Sequence, residues 1–347
     1  SATSGTSNLR LGVNAGNSIA SGGNFNTVVG DEAGTAITTG DYNTAVGMDS
    51  AKAITTGIKN TAIGSTALDA EVAGNYSTAI GMGALTTQSQ SGDVDVYNTA
   101  VGYLAGGAVT TGTENTLIGG LAGDAITTGN YNVAVGKSAL DLETAGHQSV
   151  AIGLQALSTQ NNTSSTNAYN VAVGSQAGKL LTTGIRNTLI GGLAGDAITD
   201  ADYNIAIGYG SLGANTVGSG SVAIGNDSLG NQNPSSAGTM YNVAVGNNAG
   251  NGITTGVENT LIGALAGDAL TDADYNVAVG AGALTLDTLG SRTVAIGNGA
   301  LSAQNFTSAT NTYNVAVGYD AGDGITTGIQ NTLIGGLAGD ALTDADS

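Results

Sequence analysis

Residues 119–135 read Gly119-Gly120-Leu121-Ala122-Gly123-Asp124-Ala125-Ile126-Thr127-Thr128-Gly129-Asn130-Tyr131-Asn132-Val133-Ala134-Val135 and form one unit of a repeat that runs through the chain. An apolar triplet closes the unit at positions 15 to 17, and the next glycine opens the following unit as its position 1. That glycine recurs at Gly30, Gly47, Gly64, Gly81, Gly102, Gly119, Gly136, Gly153, Gly174, Gly191, Gly208, Gly225, Gly246, Gly263, Gly280, Gly297, Gly318 and Gly335. The steps are 17, 17, 17 and 21 residues, which adds a period of 72. Such self-similarity is typical of stacked repeats.

The unit has the composition of short strands between turns. It lacks a helical apolar period, and its β-branched residues are flanked by glycine and asparagine. We expect one strand at the triplet and a second around positions 5 to 9. A single unit is too short for a stable sheet, so consecutive units must pair. The sequence therefore predicts an all-β parallel solenoid or β-roll of about 19 coils, with neighbouring coils about 4.8 Å apart.

The repeat leaves no composition shift that would divide the chain into unlike domains. Residues 1–347 are expected to form one repetitive segment with super-repeats 30–101, 102–173, 174–245 and 246–317 and a partial fifth over 318–347. Because the pattern is cut within a unit at the end of the sequence, we expect the segment to be a slice of a longer chain.

Composition excludes several functional classes. The 347 residues include 26 acids and seven bases, with a net charge of −19, which disfavours nucleic acid and anionic membrane surfaces as partners. No apolar run is long enough for direct membrane insertion of this segment. The chain has no cysteine, and an enzyme of the pectate-lyase solenoid type needs Asp, Lys and Arg clustered in a groove, which seven scattered bases do not supply. We expect no enzyme activity, no catalytic residue and no cofactor.

Glycine at position 1 is expected to form a tight corner, where a positive φ or close backbone approach requires the absence of Cβ. These structural turns are predicted at Gly47, Gly64, Gly81, Gly102, Gly119, Gly136, Gly153, Gly174 and Gly191. Asparagine before the triplet tolerates similar corners, and its amide can stack into a ladder between coils.

The triplet predicts an interface. We expect positions 15 and 17 to point into the coil and position 16 to point outward. Position 16 is apolar in nearly every unit, and Leu replaces Ala there once per four units. An outward apolar row is typical of an interaction surface, although a solvated alanine row is the simpler alternative. The expected inter-chain stripe includes Ala134, Ala151, Ala172, Leu117, Leu189, Leu261 and Leu333.

The 21-residue units carry four extra residues in runs rich in Ser, Asn and Thr. These residues should bulge outward as surface loops, with Asn161, Asn162, Thr163 and Ser164 as the example. Such loops are candidates for specific contacts, and simple spacer loops are an equal alternative.

Four polar patterns have a structural and a functional interpretation. The row of threonines at position 9 predicts a hydrogen-bond ladder, with an ice-binding face as the weaker alternative. Asp200, Asp202, Asp272 and Asp274 are weak calcium candidates, and solvated surface charge is the default. The tyrosines before the triplet favour packing against neighbouring coils over sugar stacking. His147, the single histidine, is expected in a surface turn.

Two segments resemble a known family. Ser149-Val150-Ala151-Ile152-Gly153 and Thr293-Val294-Ala295-Ile296-Gly297, each followed by alanine three residues after the glycine, are similar to the head repeat of YadA-like trimeric autotransporter adhesins, and related repeats occur in phage tail fibres. The resemblance implies a left-handed parallel β-roll, three chains around one axis, and display outside the cell. The unit here is longer than the usual head repeat, and no stalk or membrane anchor is visible.

These observations predict an extracellular fibre segment on a cell surface or virion appendage. It would act as a rigid spacer that presents a multivalent, weakly binding surface. Its expected partners are copies of itself, with a trimer favoured over a filament, and a host surface, matrix or glycan. A self-assembling filament of a sheath or matrix and a phage tail-fibre shaft are the alternatives.

Overall fold

The computed structural model describes residues 5–346, which form a parallel β-solenoid of about 19 turns without a helix. No helix in this range is therefore long and apolar enough to cross a membrane. Contacts within the chain group these residues into two compact units, 5–170 and 171–346. The predicted fold class is confirmed in both units.

The first unit contains nine three-residue strands, one per coil. They are Leu9–Leu11, Thr27–Val29, Thr44–Val46, Thr61–Ile63, Thr78–Ile80, Thr99–Val101, Thr116–Ile118, Val133–Val135 and Val150–Ile152. Each strand pairs in parallel with the strand of the next coil, and equivalent positions are aligned, as in Leu117 with Ala134. The sheet therefore aligns every position of the repeat in a row, like residue above like residue.

The second unit contains ten three-residue strands with the same parallel register. They are Val171–Val173, Thr188–Ile190, Ile205–Ile207, Val222–Ile224, Val243–Val245, Thr260–Ile262, Val277–Val279, Val294–Ile296, Val315–Val317 and Thr332–Ile334.

Two-residue strands occur beside the longer coils. In the first unit Gly74–Asn75 pairs with Val94–Asp95, and Gly146–His147 pairs with Thr166–Asn167. In the second unit Gly218–Ser219 pairs with Gly238–Thr239, and Gly290–Ser291 pairs with Thr310–Asn311. Each pair closes the base of the loop that holds the four extra residues.

The predicted second strand at positions 5 to 9 is wrong, because this part of the coil is a turn. Position 5 adopts a left-handed conformation, with φ of +57° at Gly123 and +53° at Leu140. The N–H of Ile126 at position 8 then bonds the carbonyl of Gly123 at 3.2 Å. This local bond reverses the chain direction within four residues, which leaves no extended segment to pair.

The corner glycines are confirmed. Gly119 has a φ of +134°, and a Cβ there would lie 2.6 Å from the carbonyl of Gly136 in the next coil. All nine predicted turn glycines have φ values between +132° and +143°. L-residues rarely adopt this conformation, and the stacking of the coils leaves no room for a side chain.

The interior of the coil is narrow and is filled by one side chain from each wall. Ala122 at position 4, Ile126 at position 8 and Ala134 at position 16 are all fully buried. Buried asparagines at position 14 complete the core. Asn115 Oδ1 accepts the N–H of Asn132 at 3.0 Å, and Asn115 Nδ2 donates to the carbonyl of Gly129 at 2.9 Å. The predicted amide ladder is therefore confirmed and satisfies buried backbone groups between coils.

Core volume explains the four-coil period. The side chain of Leu117 fills the space beside two glycines at position 5, Gly106 and Gly123. A Cβ on Gly106 would lie 2.6 Å from a methyl carbon of Leu117, and a Cβ on Gly123 would lie 2.7 Å from one. Where position 16 returns to alanine, the later coils of the super-repeat carry leucine at position 5, as in Leu140. Large and small residues thus alternate between two walls, which keeps the packing dense.

Candidate interaction face

One side of each unit is a flat face formed by the outward residues of the triplets. Positions 15 and 17 are half-buried or exposed, and isoleucines at position 17 such as Ile63, Ile118 and Ile152 are 37–39% exposed. We call the residues at positions 15 and 17 the triplet face. From Thr27–Val29 to Thr332–Ile334 it consists only of Thr, Val and Ile, and none of the chain's charged residues lies on it.

The structure contradicts the predicted inter-chain stripe. Ala134, Ala151, Ala172, Leu117, Leu189 and Leu261 are fully buried inside the coil, and Leu333 in the last described strand is half-buried. Alternation along the strand was predicted correctly, but its phase was inverted. The reason is space, because the coil accommodates one small residue per strand and the two bulkier β-branched neighbours must lie outside. Buried asparagine at position 14, two residues before position 16, was the available signal.

Aromatic residues at position 13 border the triplet face. Tyr42 and Tyr97 are 54% and 52% exposed, and each stacks on the ring of the preceding coil. The ring centroids lie 4.9 Å apart for Phe25 and Tyr42 and 5.1 Å apart for Tyr76 and Tyr97. The interpretation as packing between coils is confirmed for these pairs, and the stacking covers one face of each ring.

Cations take part in the same aromatic row. Lys59 Nζ lies 4.9 Å from the ring centroid of Tyr76, and the guanidinium of Arg292 lies 4.8 Å from that of Tyr275. These contacts stabilise adjacent coils through cation–π attraction.

The position-9 threonines form the predicted structural ladder. Thr110 Oγ1 donates to the carbonyl of Thr127 at 3.1 Å, and Thr127 Oγ1 donates to that of Thr144 at 3.0 Å. The other members of the row in residues 5–346 that show this bond are Thr38, Thr55, Thr182, Thr199, Thr254, Thr271 and Thr326. Hydroxyls committed to the next coil are poorly placed to order ice.

Position 12 connects coils through side-chain acceptors. Asp202 Oδ1 accepts the N–H of Ile185 at 2.7 Å, and Asp274 Oδ1 accepts that of Val257 at 2.8 Å. In one coil of the first unit the same position is filled by His147, whose Nδ1 accepts the N–H of Asn130 at 2.9 Å. His147 Nε2 lies 2.7 Å from Ser165 Oγ, so the ring bridges the turn to the adjacent loop.

The weak calcium candidates take part in other contacts. Asp272 accepts a hydrogen bond from Thr255, and Asp200 Oδ1 lies 2.9 Å from Thr199 Oγ1. Asp202 and Asp274 at position 12 accept backbone N–H groups. Within residues 5–346, no group of three or more His, Cys, Asp or Glu side chains is arranged to hold a metal ion.

The loop of the second super-repeat is only partly a surface loop. Thr163 and Ser164 are exposed as predicted, whereas Asn161 is half-buried and Asn162 is buried. Asn162 faces inward because its backbone N–H and its side-chain amide both donate to the buried carboxylate of Glu143, at 3.0 and 2.9 Å.

Aspartates at position 6 stack on adjacent coils. Partial burial raises the pKa of Asp124 above its usual 3.8, and the neighbouring charge of Asp141 raises that pKa further. Partial burial also raises the pKa of Asp141, against a hydrogen bond from Ser138 that lowers it. The folded state therefore binds protons more readily than the unfolded chain, so these groups add stability as the pH falls.

We expect Asp124→Asn to stabilise the protein at neutral pH by less than about 1 kcal/mol, because the site is largely solvated. The gain should shrink as the pH falls towards the raised pKa of Asp124, because the wild-type carboxyl then takes up a proton itself. Thermal unfolding midpoints between pH 7 and pH 4 measure this. Asp31→Asn, at an exposed carboxylate, is the control, and a gain independent of pH would contradict the electrostatic origin.

No known protein-family model matches the chain, and no curated protein sequence shows significant similarity to it.

Proposed function

We propose that the chain is a segment of an extracellular surface fibre that associates with copies of itself through the triplet face. One observation carries this proposal. Two outward positions in each of 18 triplets give 36 positions, of which 27 are Val or Ile and nine are Thr, although the chain carries a net charge of −19. A solvated face of such an acidic protein has no physical reason to exclude charge throughout.

The size of the face is comparable to that of the apolar patches on monomers that are often functional. Ten strands about 4.8 Å apart, each about 10 Å wide, give the second unit a flat apolar face of roughly 480 Å². This area lies in the upper range of the largest apolar patches on monomers. Exposed tyrosines at position 13, such as Tyr241 and Tyr275, lie along its border and alternate with polar residues such as Glu258 and Arg292.

A second copy is the best-matched occupant. Its own rows of Val and Ile repeat at the same coil spacing, so side chains can interdigitate along the whole face without a mismatch in period. The resemblance to YadA-like head repeats favours three chains in a left-handed roll. In this arrangement many identical weak sites would bind a host surface, matrix or glycan together, which raises avidity without strong individual contacts.

Light scattering tests self-association. The chain mass is 33.5 kDa, so a trimer has a mass of three times 33.5, about 100 kDa. We expect Thr99→Lys/Val133→Lys to shift wild-type oligomer to monomer with an unchanged β signal in circular dichroism, because lysine on the triplet face would have to be buried. Lysine is preferred to aspartate here because it does not add to the negative charge of the chain.

Thr39→Lys/Thr128→Lys is the matched control, since both threonines are exposed at position 10, away from the triplet face. A wild-type monomer at micromolar concentration, or an oligomer that survives Thr99→Lys/Val133→Lys, would contradict the proposed interface.

Adhesion is tested separately with the same three proteins. Beads coated with each are washed over immobilised matrix proteins and glycans. The proposal expects retention of wild type and control and loss of retention for the monomeric variant. If the wild type is oligomeric but none of the beads is retained, the adhesive role is wrong and a purely structural filament becomes the better conclusion.

A further inference from the structure

Each super-repeat buries one polar network inside the coil, where other coils have Ile, Val or Leu at position 8. Its two members come from the third and fourth coils and are fully buried. The pairs are Glu71 with Gln88, Glu143 with Gln160, Asn215 with Gln232, and Asp287 with Gln304. We call each network a cage. Beside each cage lies one of the long loops, at residues 89–95, 161–167, 233–239 and 305–311.

The carboxylate cages are closed by N–H donors. Glu143 Oε1 accepts the N–H groups of Thr144 at 2.9 Å, Gly146 at 2.7 Å and Asn162 at 3.0 Å. Glu143 Oε2 accepts Gln160 Nε2 at 2.7 Å. A buried charge is tolerated only when such donors surround it, and bonds to a charged acceptor are about twice as strong as neutral ones. The cage therefore ties the long loop firmly to the coil.

The donor contributed by the long loop comes from position 10 of the fourth coil. It is the N–H of Gln90 at 3.1 Å from Glu71, of Asn162 in the second cage, and of Phe306 at 3.0 Å from Asp287. In the third super-repeat this position is Pro234, the only proline of the chain. Proline has no N–H to donate.

The third cage is also the only one of the four without an acid. Asn215 replaces the carboxylate, and its side chain bonds Gly218 alone: Oδ1 accepts the N–H at 3.0 Å and Nδ2 donates to the carbonyl at 2.7 Å. Gln232 Nε2, whose equivalents donate to a carboxylate, is buried without a hydrogen-bond partner in the described structure. The third cage therefore lacks both the backbone N–H donor, because of Pro234, and the carboxylate charge, because of Asn215.

We propose that Pro234 and Asn215 form an energetically coupled pair that makes loop 233–239 the least firmly anchored of the four long loops. Proline removes a donor that a buried carboxylate needs, so a neutral amide replaces the acid, and the charge-assisted bonds between loop and coil are lost. Local opening then costs least at this loop. Of the four long loops, it is then the one that can most easily adapt its conformation to a partner. This inference does not depend on self-association.

Hydrogen exchange compares the loops directly. The N–H of Gly218 and its equivalents Gly74, Gly146 and Gly290 each bond the position-8 side chain. In the intact chain of 347 residues, measured by mass spectrometry or NMR, we expect the amide of Gly218 to exchange at least tenfold faster than the other three. Equal or slower exchange at Gly218 would overturn the proposal.

Reciprocal double-mutant cycles test the coupling itself. Asn215→Glu alone should accelerate exchange at Gly218, and Asn215→Glu/Pro234→Asn, which recreates the second cage, should slow it at least tenfold relative to that single variant. In the second cage, Asn162→Pro should accelerate exchange at Gly146 at least tenfold. Adding Glu143→Asn to this variant should partly reverse the acceleration.

Each cycle remains decisive if a single variant fails to fold, because a double variant that folds then demonstrates the coupling. Effects that simply add in both cycles, or double variants that are no better than the damaged single variants, would show that Pro234 and Asn215 are unrelated.

Discussion

Gly119→Ala is expected to lower the free energy of unfolding by about 3 kcal/mol or more. The φ of +134° at Gly119 is strained for any L-residue, and the added Cβ would lie 2.6 Å from the carbonyl of Gly136 and 3.1 Å from the backbone nitrogen of Lys137. Both obstacles are backbone atoms of the paired coil, so relief would require separating two coils. Thermal and urea unfolding followed by circular dichroism measure the loss.

The adjacent residue supplies the control. Gly120 is outside the positive-φ region, and a Cβ there would meet nothing within 4 Å. Gly120→Ala should be neutral or stabilise the protein by up to about 1 kcal/mol, because alanine restricts the unfolded chain. Similar losses in both variants would show that glycine matters here for general flexibility and not for the corner.

Ala134→Asp is expected to cost about 4 kcal/mol or more and to prevent folding of the surrounding coils. Ala134 is fully buried, and the aligned residues in the neighbouring strands are Leu117 and Ala151. A carboxylate there would be a buried charge without partners. The measurement is the β signal in circular dichroism together with amide exchange in the first unit.

Val133→Asp tests which residues of the strand face out of the coil. Val133 is the preceding residue and points to the half-exposed triplet face. We expect this variant to keep the β signal and to lose only self-association. If Val133→Asp unfolded the chain while Ala134→Asp did not, the inward and outward positions of the strand would be reversed.

Much of the fold follows from the sequence because it depends on single positions. Gly119 predicts a corner from its own lack of a Cβ, and Asn132 predicts an amide ladder from its place before the strand. A constant period also dictates parallel, in-register pairing, since equivalent residues must stack once units are too short to fold alone. The threonine ladder through Thr127 follows from the same argument.

The interaction face could not be predicted as reliably, because it depends on the width of the coil. Val133 and Ala134 are both apolar, and either could be buried by hydrophobicity alone. Only the folded cross-section shows that the small residue fits inside. The turn at position 5 could not be predicted either. Leu140 adopts there the left-handed conformation that Gly123 has in the preceding coil, and leucine does not indicate such a turn.

The sequence by itself determined the period, the parallel stack and its glycine corners, since these depend on backbone geometry repeated at fixed intervals. Only the tertiary structure decided which triplet residues face outward and why leucine, as at Leu117, occupies position 16 in every fourth coil. It also placed Pro234 against the single uncharged cage. These features arise from volume and hydrogen-bond donors shared between coils 17 to 21 residues apart, and no local pattern records which residues share them.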